Sequence, residues 1–353
     1  MEIEEFYQIK YNSGKRIVKE LGAPINFNLI LTKQCNSNCV HCCASANDTG
    51  EKFSLENLKK IIKIAERNNV FYFVLTGGEP LVYEHFWDLL EELNGKFGIV
   101  INTNATLIDK KTARRLSKYN IANVHVSLDA PNQEIYVLQR GLKTKLIEVI
   151  EGIKNLLEEE ISVTTKLIIT NINKDYIEDV IKLSISLGVK RINLAWFKSV
   201  GRGQENEGSL LINKKDIPEL MKRLFELKEK YKGEIFVSLD NAQCFPFLLK
   251  KTDKINYKKL CGDYFCRIDY NGDVFPCPFL EIKIGNVFKE DLKDIWKNRK
   301  LVQLRELSWG KKLGGYCKKC EYNNICAGGC RARALTDLKD ICAKDPLCWM
   351  EDE

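Results

Sequence analysis

Four cysteines lie within one short stretch of the chain, "TKQCNSNCVHCCASA", at residues 32–46. Cys35, Cys39 and Cys42 have the spacing C-x3-C-x2-C. Three thiolates this close on a loop can bind three irons of a cubane iron–sulfur cluster and leave the fourth iron without a protein ligand. Catalysis at a metal needs such an open coordination position. A structural zinc ion with a distant fourth ligand and a chance grouping are the alternatives, and Cys43 competes as a ligand.

Most of the other cysteines are in the last quarter of the chain, which has 14 in all. The N-terminus, "MEIEEFYQIK", has no apolar stretch with a small-residue cleavage site, so we predict no secretory signal and a cytoplasmic location. Thiols stay reduced in that compartment, where clustered cysteines more often bind metal than form disulfides. No run of 18 apolar residues is present, which argues against a membrane span.

The formal net charge is +7. Lysines such as Lys59, Lys60 and Lys63 fall on the polar side of a predicted amphipathic helix, and no basic stripe is interleaved with aromatic residues. We therefore expect solvated helix faces rather than a nucleic-acid-binding surface.

Short β-branched runs alternate with helical patterns from residue 25 to about residue 231. The predicted strands are 25–31, 71–75, 98–103, 123–128, 162–170 and 190–196. The predicted helices are near 54–69, 84–93, 110–118, 145–159, 174–187 and 214–231, with Ser54 and Asp109 as N-caps. Six β–α units in succession imply an α/β fold with a parallel sheet. A doubly wound sheet and a partly closed β/α barrel both fit this pattern.

The unusual segments follow the first four predicted strands. The cysteine stretch follows the first, "TGGEP" the second, "NTNAT" the third and "SLDAP" the fourth. Because the carboxyl ends of parallel strands meet at one rim, we expect these segments to lie together. After about residue 235 the alternation stops and the chain becomes irregular and cysteine-rich. We predict an N-terminal segment (1–24), a core domain (25–235), a linker (236–260) and a small cysteine-rich domain (261–353).

The three-cysteine motif after the first strand and "GGEP" after the second resemble the radical S-adenosylmethionine (SAM) superfamily. The resemblance covers residues 25–235 and implies a partial (β/α)6 barrel. It further implies that a [4Fe–4S] cluster held by Cys35, Cys39 and Cys42 binds SAM at its open iron. Reductive cleavage of SAM then gives a 5′-deoxyadenosyl radical that abstracts hydrogen from the substrate.

The resemblance also implies a set of SAM-binding residues. The "GGEP" segment receives the amino group of SAM, with an ordinary strand-to-helix turn as the alternative. Polar residues after the third and fourth strands contact ribose and methionine, and an arginine in "LQRG" pairs with the SAM carboxylate unless it is a surface residue. The residues concerned are Gly77, Gly78, Glu79, Pro80, Thr103, Asn104, Ser127, Asp129 and Arg140.

The cysteines after residue 260 resemble a SPASM domain, an extension of radical SAM enzymes that holds two auxiliary iron–sulfur clusters. The resemblance implies that one cluster is bound by Cys261, Cys266, Cys277 and Cys330. The other is bound by Cys317, Cys320, Cys326 and Cys348, with Cys342 as a rival for the last position. A pair of zinc ribbons is the alternative. Cys43, Cys244 and Cys342 remain outside the three predicted ligand sets.

Radical SAM–SPASM enzymes mostly modify peptides or proteins, and we rank that substrate class first. Tetrapyrrole side-chain modification in a heme or heme d1 route is the second candidate, and an iron–sulfur electron carrier is the non-enzymatic one. Residues 1–24 are too few for a leader-peptide recognition module, so we expect a separate carrier or a substrate without a leader. Pro278 follows Cys277 where sulfatase maturases commonly have a carboxylate. An electron donor such as ferredoxin or flavodoxin is implied.

Overall fold

Parallel strands in chain order make up most of the sheet. The computed structural model describes residues 21–240, 261–308 and 310–350. In these ranges one ten-stranded sheet has the order β10-β9-β8-β1-β2-β3-β4-β5-β6-β7. The strands are β1 (Asn26–Ile30), β2 (Tyr72–Thr76), β3 (Gly98–Thr103), β4 (Ile121–Ser127), β5 (Val163–Ile169), β6 (Arg191–Trp196), β7 (Phe236–Asp240), β8 (Phe265–Ile268), β9 (Asp273–Phe275) and β10 (Gly285–Asn286).

The strand order distinguishes the two architectures that the sequence left open. A doubly wound sheet reverses its strand order at a switch point. Here each strand from β1 to β7 is parallel to the next one in the chain. Right-handed crossovers that run in a single direction place their helices on one face of the sheet. The partial β/α barrel is therefore confirmed, and the doubly wound alternative is wrong.

The helices of the barrel begin where the sequence predicts caps. Ser54 accepts a hydrogen bond from Asn57 N at 3.2 Å, and Asp109 accepts one from Thr112 N at 2.7 Å. The six predicted strands and helices are confirmed to within about three residues, but a helix capped by Asn132 was not predicted. The helices are α1 (Leu55–Arg67), α2 (Phe86–Leu93), α3 (Lys110–Leu116), α4 (Gln133–Arg140), α5 (Leu146–Glu158), α6 (Ile177–Ser186), α7 (Arg202–Glu205), α8 (Glu207–Leu210) and α9 (Ile217–Lys230).

The two faces of the parallel sheet differ in polarity. One face, with Phe27 and Leu29 of β1 as examples, is fully buried against the apolar sides of the helices. The opposite face, here called the lumen, carries partly exposed polar side chains, which include Asn28, Asn102, His125, Lys166 and Asn193. The barrel is therefore stabilised from its helical side, and its inner side is left free to contact a polar molecule.

The sheet continues beyond the six predicted strands at both edges. β7 extends the sheet next to β6, so the first five residues of the expected linker form a strand. The rest of that linker, residues 241–260 with Cys244, lies outside the described residues, as do residues 1–20 and 351–353. β8 pairs with β1 in parallel, and β9 and β10 follow antiparallel.

The short helices of the small cysteine-rich domain are α10 (Leu292–Trp296), α11 (Arg299–Ser308), α12 (Asn323–Cys326) and α13 (Arg331–Leu338). Among the described residues, no helix combines the length and apolar character needed to cross a membrane.

Candidate active site and auxiliary cluster sites

The loop that follows β1, residues 32–47, is here called the cluster loop. Main-chain hydrogen bonds close it upon itself. Cys35 N donates to Asn47 O at 2.7 Å, Asn47 N donates to Lys33 O at 3.1 Å, and Lys33 N donates to Glu51 O at 2.8 Å. These bonds fix the backbone on both sides of the cysteine motif, so the thiols are held in place by the fold.

The three thiols of the motif lie near one another and accept hydrogen bonds. Main-chain N–H groups of the loop donate to the sulfurs of Cys35 and Cys42, both at 3.4 Å, and Arg140 Nη1 donates to Cys39 Sγ at 3.5 Å. Burial raises the pKa of Cys35 to about 12 and raises that of Cys39, and the charges of the neighbouring thiolates act in the same direction. Three thiolates together therefore need a cation to compensate them.

The donor set fits an iron–sulfur cluster. Soft thiolate ligands suit iron–sulfur clusters, and a bound metal supplies the positive charge that keeps such thiols deprotonated. Cys43 is next to Cys42 in the chain. Burial raises the pKa of Cys43 to about 11, and the charge of Cys42 adds to this rise, whereas the charges of Lys198 and Lys166 oppose it. Within the described ranges, no three His, Cys, Asp or Glu side chains form a group that could hold a single metal ion.

The "GGEP" segment is joined to the cluster loop through its backbone. Gly78 N donates to Thr32 O at 2.7 Å, and Glu79 N donates to Gln34 O at 2.9 Å. A Cβ on Gly78 would lie 2.0 Å from Gln34 O and 3.0 Å from Cys35 Cβ. The second glycine is therefore needed because the cluster loop passes directly over it. An ordinary strand-to-helix turn, the alternative from the sequence, would not require a second backbone segment this close to Gly78.

Glu79 connects the second strand end to the third. Its carboxylate is fully buried and accepts hydrogen bonds from Thr103 Oγ1 at 2.7 Å and from Asn104 N at 2.8 Å. It also accepts one from Leu81 N at 3.2 Å, which caps the 3-10 turn that begins at Pro80. Burial raises the pKa of Glu79, and these hydrogen bonds oppose that rise. Thr103 and Asn104 thus support the carboxylate expected to face the SAM amino group.

Asn104 also reaches the cluster loop. Its Nδ2 donates to Asn36 Oδ1 at 2.8 Å and to Ser37 Oγ at 3.2 Å. The third strand end and the cysteine motif are therefore in direct contact, as the placement of both segments at one rim implied.

Arg140 is buried, so the surface alternative is wrong. Its Nε donates to Asp129 Oδ2 at 2.6 Å, and its Nη2 makes a second contact with the same oxygen. Asp129 Oδ1 accepts from Ile168 N at 2.7 Å, and His41 Nε2 lies 3.6 Å from Asp129 Oδ2. Asp129 thus holds the arginine that donates to Cys39.

Ser127, another predicted site residue, is the last residue of β4 and is level with Lys166 of β5.

A segment after β6 clamps the cluster loop and was not predicted as part of the site. Arg202 Nη1 donates to Cys39 O at 3.1 Å, and its Nη2 donates to Ala46 O. Gly203 N donates to Cys42 O at 3.3 Å. A Cβ on Gly201 would lie 2.5 Å from Cys43 O. The glycines of "VGRG" were the available signal, since paired glycines mark close backbone approach.

Three of the four cysteines expected at the first auxiliary cluster come together. A hydrogen bond in which the Cys277 thiol donates to Cys261, followed by burial, raises the pKa of Cys277 well above its usual value, and the charge of Cys330 adds to the shift. Cys266 lies in β8, fully buried, at the level of Phe27 of β1. Burial alone raises its pKa, with no contribution from the other three cysteines.

The cysteines expected at the second auxiliary cluster line one small cavity. Its lining residues are Tyr316, Cys317, Cys320, Asn323, Cys326, Gly328, Asp345, Cys348 and Met350. Burial raises the pKa of Cys317 and of Cys348, and the Cys320 thiolate adds to both shifts. Cys342 is outside this lining and packs against a small apolar cluster of Leu307, Leu313 and Cys317. The cavity therefore favours Cys348 over Cys342 as the fourth member of this set.

Buried charged side chains stabilise the small cysteine-rich domain, here called the auxiliary segment and described over residues 261–308 and 310–350. Arg333 Nε and Nη2 donate to the two carboxylate oxygens of Asp345 at 2.9 Å and 2.6 Å, and Asp345 Oδ2 also accepts from Cys330 N. Arg331 Nη1 donates to the carbonyls of Ile341 and Ala343, both at 2.6 Å. These contacts fix "CRARA" (330–334) against "DPLC" (345–348), two segments that the sequence analysis did not connect.

Comparison with known proteins agrees with this geometry. Residues 29–184 match the radical SAM superfamily, and residues 261–321 match the SPASM iron–sulfur cluster-binding domain. Mycofactocin maturase MftC of Mycobacterium ulcerans is 30% identical over 344 residues, which cover 93% of this chain and 88% of the relative. The chain belongs to the radical SAM superfamily and carries a SPASM domain. It is therefore an enzyme that uses [4Fe–4S] clusters and SAM.

Two further matches to this radical SAM enzyme are a curated relative and a solved structure. The AdoMet-dependent heme synthase of Oleidesulfovibrio alaskensis is 26% identical over 341 residues, covering 90% of this chain and 85% of the relative. The crystal structure of Streptococcus suis SuiB bound to SAM superposes with a TM-score of 0.74 at 20% identity, covering 98% of this chain and 79% of SuiB. The SuiB match reflects a shared fold.

Proposed function

We propose that this enzyme cleaves SAM reductively at a cluster held by Cys35, Cys39 and Cys42 and abstracts hydrogen from a peptide or protein. The observation that carries the proposal is the backbone contact between the cluster loop and "GGEP", in which Gly78 N donates to Thr32 O. When bound, the cluster and SAM supply the electron and the 5′-deoxyadenosyl radical. The protein supplies three thiolates, a fixed loop and the polar groups that orient SAM.

The rim residues have separate tasks in this proposal. The peptide carbonyls of Gly77 and Gly78 and the carboxylate of Glu79 would receive the SAM amino group. Ser127 at the end of β4 and the segment of Thr103 and Asn104 would contact the ribose and methionine portions. Arg140 is held by Asp129 and donates to Cys39. In this proposal its guanidinium would also pair with the SAM carboxylate.

Two auxiliary clusters complete the proposed centre. Cys261, Cys266, Cys277 and Cys330 are proposed to bind the first; Cys317, Cys320, Cys326 and Cys348 are proposed to bind the second. The cavity lined by all four members of the second set supports that assignment. Closed four-thiolate sites favour electron transfer or a structural role over binding of SAM.

Peptide or protein modification is supported by the maturase relative, which covers nearly the whole chain. The second candidate substrate is a tetrapyrrole, supported by the heme synthase relative and by the polar lumen with Lys166 on its wall. Pro278 after Cys277 disfavours oxidation of a sulfatase residue. We propose a cytoplasmic location and reduction by a ferredoxin or flavodoxin.

Anaerobic reconstitution tests the proposal. The protein, incubated with SAM and dithionite, should release 5′-deoxyadenosine, and addition of SAM should change the electron paramagnetic resonance signal of the reduced cluster. An electron carrier would hold iron without releasing 5′-deoxyadenosine, and a zinc protein would be colourless. Either result contradicts the proposal. Mass spectrometry of a candidate peptide and of an iron porphyrin, each incubated with the active enzyme, then separates the two substrate classes.

A further inference from the structure

A buried lysine lies above the lumen beside the cluster loop. Lys198 follows β6 and is only 7% exposed, and its Nζ lies 4.1 Å from the centroid of the Phe279 ring. Among the described residues, no carboxylate lies within ion-pair distance of this ammonium. Burying an ammonium costs free energy unless an anion or several acceptors compensate it. A cation–π contact with one phenyl ring compensates only part of that cost.

A second lysine approaches the same place from the wall of the barrel. Lys166 lies on the lumen face of β5, and no described carboxylate forms an ion pair with it. Two residues after Lys166 on the same strand, Ile168 N donates to Asp129 Oδ1 at 2.7 Å, and Asp129 holds the arginine that donates to Cys39. The segment just after Lys198 meets the same loop, because a Cβ on Gly201 would lie 2.5 Å from Cys43 O. Both lysines therefore lie on the part of the barrel wall that carries the cluster loop. Cys43 has an exposed surface, so a solvent-accessible space lies beside the cluster loop.

This space lies between the two kinds of cluster segment. On one side is the cluster loop, which contacts the chain just after Lys198 through Gly203 N and Cys42 O at 3.3 Å. On the other side is Phe279, two residues after Cys277 of the first auxiliary set. A substrate held between the proposed SAM site and the first auxiliary set would occupy this position.

We propose that Lys166 and Lys198 bind a carboxylate of the substrate and hold it between the cluster loop and Phe279. The proposal rests on the proposed function, because it places the substrate of that same site. Ammonium groups pair with carboxylates by charge-assisted hydrogen bonds. The phenyl ring at one side of Lys198 favours a carboxylate attached to an apolar body over a small inorganic anion. A peptide carboxylate and a tetrapyrrole propionate share this chemistry.

Binding to the reconstituted protein in the presence of SAM tests the proposal with two matched probe pairs. One pair is iron coproporphyrin III and its tetramethyl ester, followed by absorbance. The other is an N-acetylated phenylalanine dipeptide and its C-terminal amide, followed by calorimetry. The acid of one pair should bind at least about tenfold more tightly than its neutral partner, as expected for charge-assisted contacts. The pair that shows this preference identifies the source of the carboxylate.

Substitutions assign the effect to the two lysines. Lys198→Met and Lys166→Met should each weaken binding of the acid about tenfold and leave the ester or amide unaffected. Lys198→Arg should retain most of the affinity because it keeps the charge. Lys190→Met, at an exposed position just before β6, is the matched control and should bind like the wild type.

SAM cleavage separates this proposal from the proposed function. Affinity for SAM and release of 5′-deoxyadenosine without substrate should be unchanged in both methionine variants. A parallel loss of SAM affinity would mean that the lysines face the SAM carboxylate, and this would overturn the proposal. It would also be overturned by equal binding of acid and neutral probes, by equal competition from phosphate, or by wild-type protein that cleaves SAM but binds neither acid. Wild-type protein that releases no 5′-deoxyadenosine would contradict the proposed function instead.

Discussion

The cluster loop and the auxiliary segment both gather cysteines, but they do so by different means. The cluster loop is fixed by main-chain hydrogen bonds between strand ends, such as that from Gly78 N to Thr32 O. The auxiliary segment is fixed by buried side-chain charges, above all Arg333 with Asp345. The difference indicates that a site with an open iron needs backbone geometry set by the sheet. A closed site can be assembled from side chains and completed by its metal.

The two regions also differ in their apolar support. The large core that contains Phe27 and Leu29 also contains Cys266, Cys277 and Cys330 of the auxiliary segment, whereas the three cysteines of the cluster-loop motif are not among its members. Cys317 of the auxiliary segment belongs to a small separate cluster with Leu307 and Leu313. We therefore expect substitutions in the cluster loop to affect catalysis more than folding, and substitutions in the auxiliary segment to affect folding and metal content together.

The largest effect should come from Cys39→Ala. It removes one of three ligands, so SAM cleavage should fall to background and the iron content should drop by about four atoms per chain. Release of 5′-deoxyadenosine and iron analysis measure both. Cys43→Ala is the control and should retain cleavage. A fully reconstituted Cys39→Ala protein that still cleaves SAM would refute the ligand assignment.

Gly78→Ala tests whether the backbone sets the open site. The added Cβ would meet Gln34 O at 2.0 Å and displace Cys35, so SAM cleavage should fall by about a hundredfold. Gly208→Ala places its Cβ in open space and should behave as wild type. If both variants cleave SAM at the same rate, the contact between the loop and "GGEP" is unimportant.

Cys320→Ala should separate the two regions. SAM cleavage without substrate should continue, while the signal of the second auxiliary cluster is lost and product formation falls at least about tenfold. Cys342→Ala, whose thiol is outside the cluster cavity, should keep that signal. Electron paramagnetic resonance of both proteins decides this. The reverse pattern, with the signal lost only in Cys342→Ala, would exchange the two cysteines.

Asp345→Asn removes a buried negative charge next to Arg333 with little change in shape. We expect a loss of about 3 kcal/mol in the stability of the auxiliary segment, because one member of a buried ion pair is neutralised. Limited proteolysis and unfolding by urea measure this. SAM cleavage should change less than twofold. Equal resistance of wild type and variant to protease would show that the ion pair contributes nothing to the order of this segment.

The smallest effect should be the loss of stability on acidification that comes from protonation of His125. Burial, followed by the charges of Lys166 and Arg191, lowers the pKa of His125 to about 3. As the pH falls, the unfolded chain takes up this proton at a higher pH than the folded protein does. The folded state therefore loses stability as the pH falls below about 6.5. Between pH 6.5 and 5.5 the loss should be about 1 kcal/mol. His125→Gln should lack this component in urea unfolding, and identical pH dependence of both proteins would exclude it.

Much of the site could be predicted because its signals are local in the sequence. The spacing of Cys35, Cys39 and Cys42 and the position of each polar segment after a strand were sufficient to place four loops at one rim. The pairing of Asp129 with Arg140 was missed because nothing in the sequence shows that α4 faces β4. Arg202 and Asp345 were missed for the same reason, since both act on residues far away in the chain.

The strands at the edges of the sheet could not be predicted from the sequence pattern either. β8 joins β1 across more than 200 residues, and such long-range pairing has no local periodic signal. β7 was assigned to a linker because its five residues follow the last strongly alternating unit. Conversely, the caps at Ser54 and Asp109 were predicted correctly because a cap depends on only a few consecutive residues.

The pairing of β8 with β1 has a consequence for electron transfer. Cys266, an expected ligand of the first auxiliary cluster, lies at the level of Phe27 in the strand that leads into the cluster loop. The cluster loop and this expected ligand are thus joined through adjacent, hydrogen-bonded strands. We therefore expect the sheet to set the distance between the two proposed clusters, and with it the width of the gap that a substrate must fit.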